Sequence, residues 1–248
     1  MSKCIIVLGS AGSGKTTLLK QLHEKYDVFG YFKWVNIDFF VEQEEHEFYN
    51  NPLKASNHVK KVVIPSLISY GKNFIWDCTG ANIKPIQKLI EDNPQYEFKI
   101  IIHYCEPVTC YLRNLNRKRT LPKQVVIENW LKVYSQIRDY TKLVGTDNIY
   151  IHESDYTNDE LDMVSDYQHD YILDHSKDND TTSSFKKEDT VYSKEELNKK
   201  QQKFITILNK LKEEYLNIDN EITTFNDNFG LITLENIEKS TLYKWILI

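Results

Sequence analysis

Gly9, Ser10, Ala11, Gly12, Ser13, Gly14, Lys15, Thr16 and Thr17 form one uninterrupted stretch near the start of the chain. Glycines at this density let the backbone curl so that successive N–H groups converge on one anion with no side chain in the way. Lys15 brings a positive charge to the end of that loop, within reach of β- and γ-phosphates. The Thr16 hydroxyl is a hard oxygen ligand suited to Mg²⁺. A glycine-rich turn that merely precedes a helix would have no use for the lysine or the threonine. The spacing therefore predicts a site for a nucleoside triphosphate, built from residues 9–17.

Two carboxylates and three arginines extend that chemistry. Asp38 closes the run "VNID", where a carboxylate can take the proton of an attacking hydroxyl during phosphoryl transfer. The competing role is to cap the next helix. Asp77, in "NFIWDCTGAN", is expected beside the glycine loop, orienting Mg²⁺ through water or holding substrate, with Thr79 as a hydroxyl donor. In "LRNLNRKRTLP", Arg113 and Arg117 are four apart and share a face if the segment is helical. Arg119 follows in a short lid. Such guanidinium forks neutralise charge developing on a transferring phosphoryl group; the alternative is a solvated basic helix. Arg113 is assigned to the nucleotide, and Lys15, Asp38, Arg117 and Arg119 to catalysis.

These groups need rigid elements to hold them. Cys4–Leu8 reads as a buried strand, and Leu18, Leu19 and Leu22 are the inward positions of the helix that follows the loop. Further strands are expected at Lys33–Asp38, Asn73–Asp77, Phe98–Tyr104 and Asn148–His152. A helix between them turns Val59, Val62, Val63, Leu67 and Ile68 inward. Another ends near Pro94, one runs from Val108 to Arg119, and a single long helix continues from Val125 to Leu143. Strands alternating with helices give an α/β fold, a parallel five-stranded sheet covered by helices on both faces. This domain spans 3–152. An acidic insertion follows over 153–192, and then, over 193–248, a helix (Ser193–Ile218, opened by a Ser193/Glu196 capping box) and a docking tail.

Composition sets limits on partners and location. The 248 residues carry a net charge of −5. Residues 1–150 hold 20 Lys and Arg against 15 Asp and Glu, and the remainder 11 against 21. A basic first part suits phosphate-bearing substrates, and an acidic second part suits a solvated or protein-binding segment. No stretch has the apolar length of a membrane span, and the first strand begins at about residue 3. A cytoplasmic protein with reduced cysteines is expected. "DCTG" fits a GTPase pattern, but "TKLV" puts Val144 where the guanine-reading aspartate belongs. The acidic run after a strand that marks ring-forming motor ATPases is absent. "DNDTT" (Asp178, Asp180, Thr182) spells a phosphatase motif, but it follows the polar "DHSK" rather than an apolar strand.

Taken together, the glycine loop, "NID", "WDCTG", "RNLNRKRTLP" and the tryptophan-bearing helix resemble the zeta-toxin and polynucleotide-kinase group of P-loop kinases over residues 3–152. The resemblance implies ATP with Mg²⁺ as donor, Asp38 as activator of the acceptor hydroxyl, and phosphate contacts from Arg113, Arg117 or Arg119. It also implies an arginine about three residues after the aspartate, where this chain has Val41, so the acceptor pocket reads a different substrate. The expectation is a kinase acting on the hydroxyl of a phosphate-bearing acceptor. A polynucleotide 5′-hydroxyl stands slightly ahead of a nucleotide sugar, with nucleosides or other small molecules behind. The rival of another class is an NTP-binding switch or scaffold that recruits a protein partner through its acidic half.

Overall fold

The computed structural model describes residues 1–154. The acidic segment beyond Ser154, the helix expected over Ser193–Ile218 and the tail lie outside the described residues. Five strands form one sheet: β1 (Ser2–Leu8), β2 (Lys33–Asn36), β3 (Phe74–Asp77), β4 (Tyr96–Tyr104) and β5 (Ile149–Glu153). Their order is β2-β3-β1-β4-β5, and every neighbouring pair is parallel. The acidic segment expected from residue 153 thus begins inside the sheet, since Glu153 pairs with Tyr104. β1 is the central strand and is covered on both faces. That is why it reads as a continuous apolar run instead of an alternating one.

Side chains alternate between the two faces of the sheet. On one face Ile5, Val7, Ile75 and Ile101 pack against Leu18, Leu19 and Leu22 of α1 (Lys15–Tyr26) and Val28 of α2 (Val28–Tyr31). On the other, Cys4, Ile6 and Leu8 meet the remaining helices. Those are α4 (Pro52–His58), α5 (Ile64–Ser69), α6 (Lys84–Glu91), α7 (Pro107–Leu115), α8 (Lys123–Tyr134) and α9 (Ile137–Val144), with the four-residue α3 (Asp38–Val41) after β2. Both sheet faces are therefore covered by helices, as the strand–helix alternation predicts.

Three helices differ from expectation. Val59–Val63 winds as a π-helix between α4 and α5. Pro65 lacks an N–H, and in a regular α-helix its ring would meet the carbonyl of Lys61. The wider turn just before the proline opens that backbone. The extra residue rotates the face, so Val62, expected inward, is 52% exposed while Ile64 is 3% exposed. The long helix expected from Val125 to Leu143 is broken between α8 and α9. The break lets Tyr134 donate to the His103 carbonyl at 2.7 Å while Tyr140 donates to Gly80. The arginine helix ends at Leu115, so Arg117 and Arg119 belong to the loop after it.

Candidate active site

The glycine loop connects β1 to α1, at the carboxyl end of the central strand. Gly12 (φ 80°) and Gly14 (φ 103°) adopt backbone angles that side chains rarely tolerate. A Cβ on Gly12 would run into the Cys110 carbonyl, and one on Gly14 would come 2.9 Å from His103 Nε2. These glycines are required by contact as well as by conformation. Gly14 caps α1 without a side-chain hydrogen bond, and the first turn of α1 carries no acidic residue. Its exposed N–H groups and positive dipole end suit an anion. The Lys15 ammonium donates to the carbonyls of Gly9 and Ser10 at 2.8 and 2.9 Å. Burial lowers its pKa from the ordinary lysine value, partly offset by Asp77.

β3 lies beside β1 and delivers Asp77 to the loop. The carboxylate is 2% exposed. It accepts from Asn36 Nδ2 at 2.6 Å and from the Thr16 hydroxyl at 3.3 Å, both on Oδ2. Burial raises its pKa above the usual carboxylate value, while Lys15 pulls the other way. A buried carboxylate touching a threonine hydroxyl at the phosphate loop is a hard-oxygen donor set. It fits Mg²⁺, which takes one or two protein oxygens and completes its shell with water and phosphate.

Asp38 opens α3 at the carboxyl end of β2. The capping alternative does not hold: the Asp38 side chain makes no cap, and Asn36 Oδ1 accepts from the Asp38 N–H instead. The carboxylate faces Arg117 Nη2 at 2.9 Å and Arg119 Nη1 at 3.8 Å. Arg113 points elsewhere, donating to the Ser154 hydroxyl at 2.6 Å. The expectation that Arg113 and Arg117 share a helical face is thereby corrected: the helix stops between them, and the two serve different sides of the cleft.

Lys15, Thr16, Thr17, Asp38, Asp77, Thr79, Arg113, Arg117 and Arg119 all line one cleft of about 990 Å³, as do Ala11, Gly12 and Gly14. Seven Lys and Arg line it against three Asp and Glu, so the cleft is electropositive. Gly9, Ser10 and Ser13 do not line it; Ser10 is spent inward, donating its hydroxyl to the Val126 carbonyl at 3.2 Å. Lys60 and Lys118 reach the cleft, whereas Lys123 lies over the Tyr111 ring.

Sequence reasoning missed three groups. His103 and His152, at the ends of β4 and β5, meet Nδ1 to Nδ1 at 3.0 Å beneath the loop. Burial, then His152 and then Lys15, push the His103 pKa well below the ordinary histidine value. Adjacent parallel strands place them together, a relation no linear spacing displays. Asn114, fully buried, donates to the Leu121 carbonyl at 2.9 Å and accepts from the Leu121 N–H at 3.1 Å. It closes the arginine loop into a ring. The four cysteines are free, as expected, and burial pushes the Cys78 thiol up to about 12.

Residues 4–140 match a family described as "AAA domain". No curated protein sequence matches the chain. Among solved structures, it is similar to one in the PezAT chromosomal toxin–antitoxin system of Streptococcus pneumoniae. That match has a TM-score of 0.47 and 19% identity, covering 64% of this chain and 70% of the other. A chain of the Pnkp1/Rnl/Hen1 RNA repair complex matches with a TM-score of 0.43 and 20% identity, over 57% of this chain and 45% of the other. Shikimate kinase from Acinetobacter baumannii matches with a TM-score of 0.40 and 18% identity, over 68% and 92%.

Proposed function

We propose that this chain, which belongs to the AAA domain family, transfers the γ-phosphoryl group of ATP to a hydroxyl. The observation that carries the reading is Asp38, held by Arg117 and Arg119 in the same cleft as Lys15, Thr16 and Asp77. A carboxylate poised for a proton and guanidiniums poised for phosphoryl charge are the parts that this reaction needs. A nucleotide switch needs the loop and the metal, but has no use for that pairing.

In the proposed reaction the acceptor oxygen attacks the γ-phosphorus and gives its proton to the Asp38 carboxylate. The new P–O bond forms as the bond to the β,γ-bridging oxygen breaks, and ADP leaves with that electron pair. Lys15 and the N–H groups of residues 12–16 hold the β- and γ-phosphates. Mg²⁺, held by Thr16 and through water by Asp77, would neutralise charge across the two phosphates. Arg117 and Arg119 supply further positive charge where it develops.

The acceptor is read as phosphate-bearing, with a polynucleotide 5′-hydroxyl ahead of a nucleotide sugar. The excess of cations in the cleft exceeds what a triphosphate alone requires, which supports an anionic second substrate. The test is transfer from γ-labelled ATP to a panel: a 5′-hydroxyl oligonucleotide, a nucleotide sugar, a nucleoside and a neutral sugar. Transfer to an anionic acceptor, lost in Lys15→Ala, is expected. Retention of nucleotide with no transfer to any acceptor would move the protein to the switch class.

A further inference from the structure

Beside Asp38 the lining of the cleft includes two aromatic rings, Trp34 and Phe39; Lys20 and Gln21 of α1 line the same cleft. The two rings end a row of four that starts on α1. His23 packs on Phe29 at 4.5 Å, Phe29 stacks on Trp34 at 4.6 Å, and Trp34 meets Phe39 edge to face at 4.8 Å. Phe39 is 38% exposed. Among the described residues Phe39 has a single ring neighbour, Trp34. It is fixed at the second position of α3, directly after Asp38.

The same short helix accounts for Val41. That side chain is 1% exposed and belongs to the core, so Val41 does not face an acceptor. The members of α3 and its two caps that reach the cleft are Ile37, Asp38, Phe39 and Glu42. Next to the proposed base, therefore, stands an aromatic face, in a cleft that Lys20 also lines. A ring backed by a second ring, in a cleft that holds ammonium groups, suits a flat heterocycle carrying phosphate.

We propose that Phe39, backed by Trp34, is a stacking subsite for the nucleobase of the acceptor, with Lys20 of the same cleft serving that acceptor's phosphate. The inference rests on the reading of this cleft as the acceptor site. A base stacked on Phe39 places its ribose next to Asp38, so the ring selects nucleotide acceptors over sugar phosphates and aligns their hydroxyl.

Binding and turnover test it separately. With ADP and Mg²⁺ saturating the nucleotide site, thymidine 3′-phosphate is titrated against the full chain while tryptophan emission is followed. Quenching that disappears in Trp34→Phe is expected, with binding weakened about tenfold to a hundredfold in Phe39→Ala and restored in Phe39→Tyr. Kinetically, Phe39→Ala should raise the acceptor KM of a 5′-hydroxyl oligonucleotide by a similar factor, leaving that of ATP unchanged. An oligonucleotide whose 5′ residue lacks its base should show the raised KM already in the wild type, with no further rise in the variant. A nucleotide sugar run in parallel tells which nucleotide class uses the ring. Equal losses for base-bearing and base-free acceptors, or thymidine 3′-phosphate binding indifferent to Phe39, would overturn the subsite. Ring-dependent binding without any phosphoryl transfer would instead overturn the kinase reading and keep the subsite.

Discussion

At the scale of single residues the site holds two carboxylates with opposite burdens. Asp38 is partly exposed and paired with arginines, and it is the proposed base. Asp38→Asn keeps the shape and removes the base. Phosphoryl transfer should fall by about 10²–10⁴, with ATP affinity, measured by equilibrium titration, unchanged; a full transfer rate would leave Asp38 no part in the chemistry. Asp77 is buried, and its pKa in the folded protein is raised from 3.8, chiefly by burial. The folded chain therefore binds that proton more tightly than the unfolded one. Stability is lost as pH rises through the raised value, and at neutral pH the ionised carboxylate is a net cost to the fold. Asp77→Asn should accordingly raise the Tm at pH 7. That advantage should shrink toward pH 4, and the variant should gain less stability than the wild type on adding Mg²⁺ and ATP. An unchanged or lowered Tm at pH 7, with the fold intact by circular dichroism, would show that the Lys15 and Asn36 contacts outweigh burial.

At the scale of elements, the lid is a loop whose geometry one buried side chain sets. Asn114 bonds both backbone groups of Leu121, closing the segment that carries Arg117 and Arg119. Asn114→Ala leaves those groups unpaired and should destabilise the fold by about 1–3 kcal/mol. Transfer should drop by about tenfold, and Arg117→Ala should cost less in that background than alone, because the loop no longer aims the arginine. Additive losses, measured as kcat in a double-mutant cycle, would mean that the ring does not position Arg117. The lid also shows how far the sequence could be read. The glycine loop, the five strands and the arginines were legible because each is a local pattern: a motif, an apolar run or a charge cluster. The helix stop at Leu115 was not, since nothing between Asn114 and Arg119 breaks a helix; the contact that ends it, Asn114 to Leu121, spans seven residues. Pro65 announced an interruption, but not that a π-turn would absorb it and expose Val62. The pairing of His103 with His152 needs β4 and β5 to be neighbours, which periodicity does not encode. That Asp38 does not cap its helix became visible only once Asn36 was seen to accept from its N–H.

At the scale of the whole molecule, charge separates along the chain: the first 150 residues are net positive and the remainder net negative. Among the described residues no helix is long and apolar enough to cross a membrane. The cations are not spread evenly, for the cleft collects seven of them against three carboxylates. Two of those carboxylates are already engaged, Asp38 with the arginines and Asp77 with Thr16 and Asn36. In the proposed reaction a triphosphate with Mg²⁺ uses Lys15 and part of the lid, which leaves Lys20, Lys60 and Lys118 of the cleft for the acceptor. If several backbone phosphates meet these lysines, binding releases several counterions, and affinity falls steeply with salt. A nucleotide sugar presents only its diphosphate and gives a shallow dependence. The expected result is that the acceptor KM of a 5′-hydroxyl oligonucleotide rises steeply between about 50 and 200 mM salt, while the KM of ATP rises far less. Replacing Lys20 or Lys60 by alanine should flatten that slope by roughly one phosphate each. A flat slope with efficient transfer to a nucleotide sugar would assign the lysines to a single diphosphate. Efficient phosphorylation of an uncharged sugar or nucleoside, with neither anionic acceptor used, would show that the positive cleft serves the triphosphate alone.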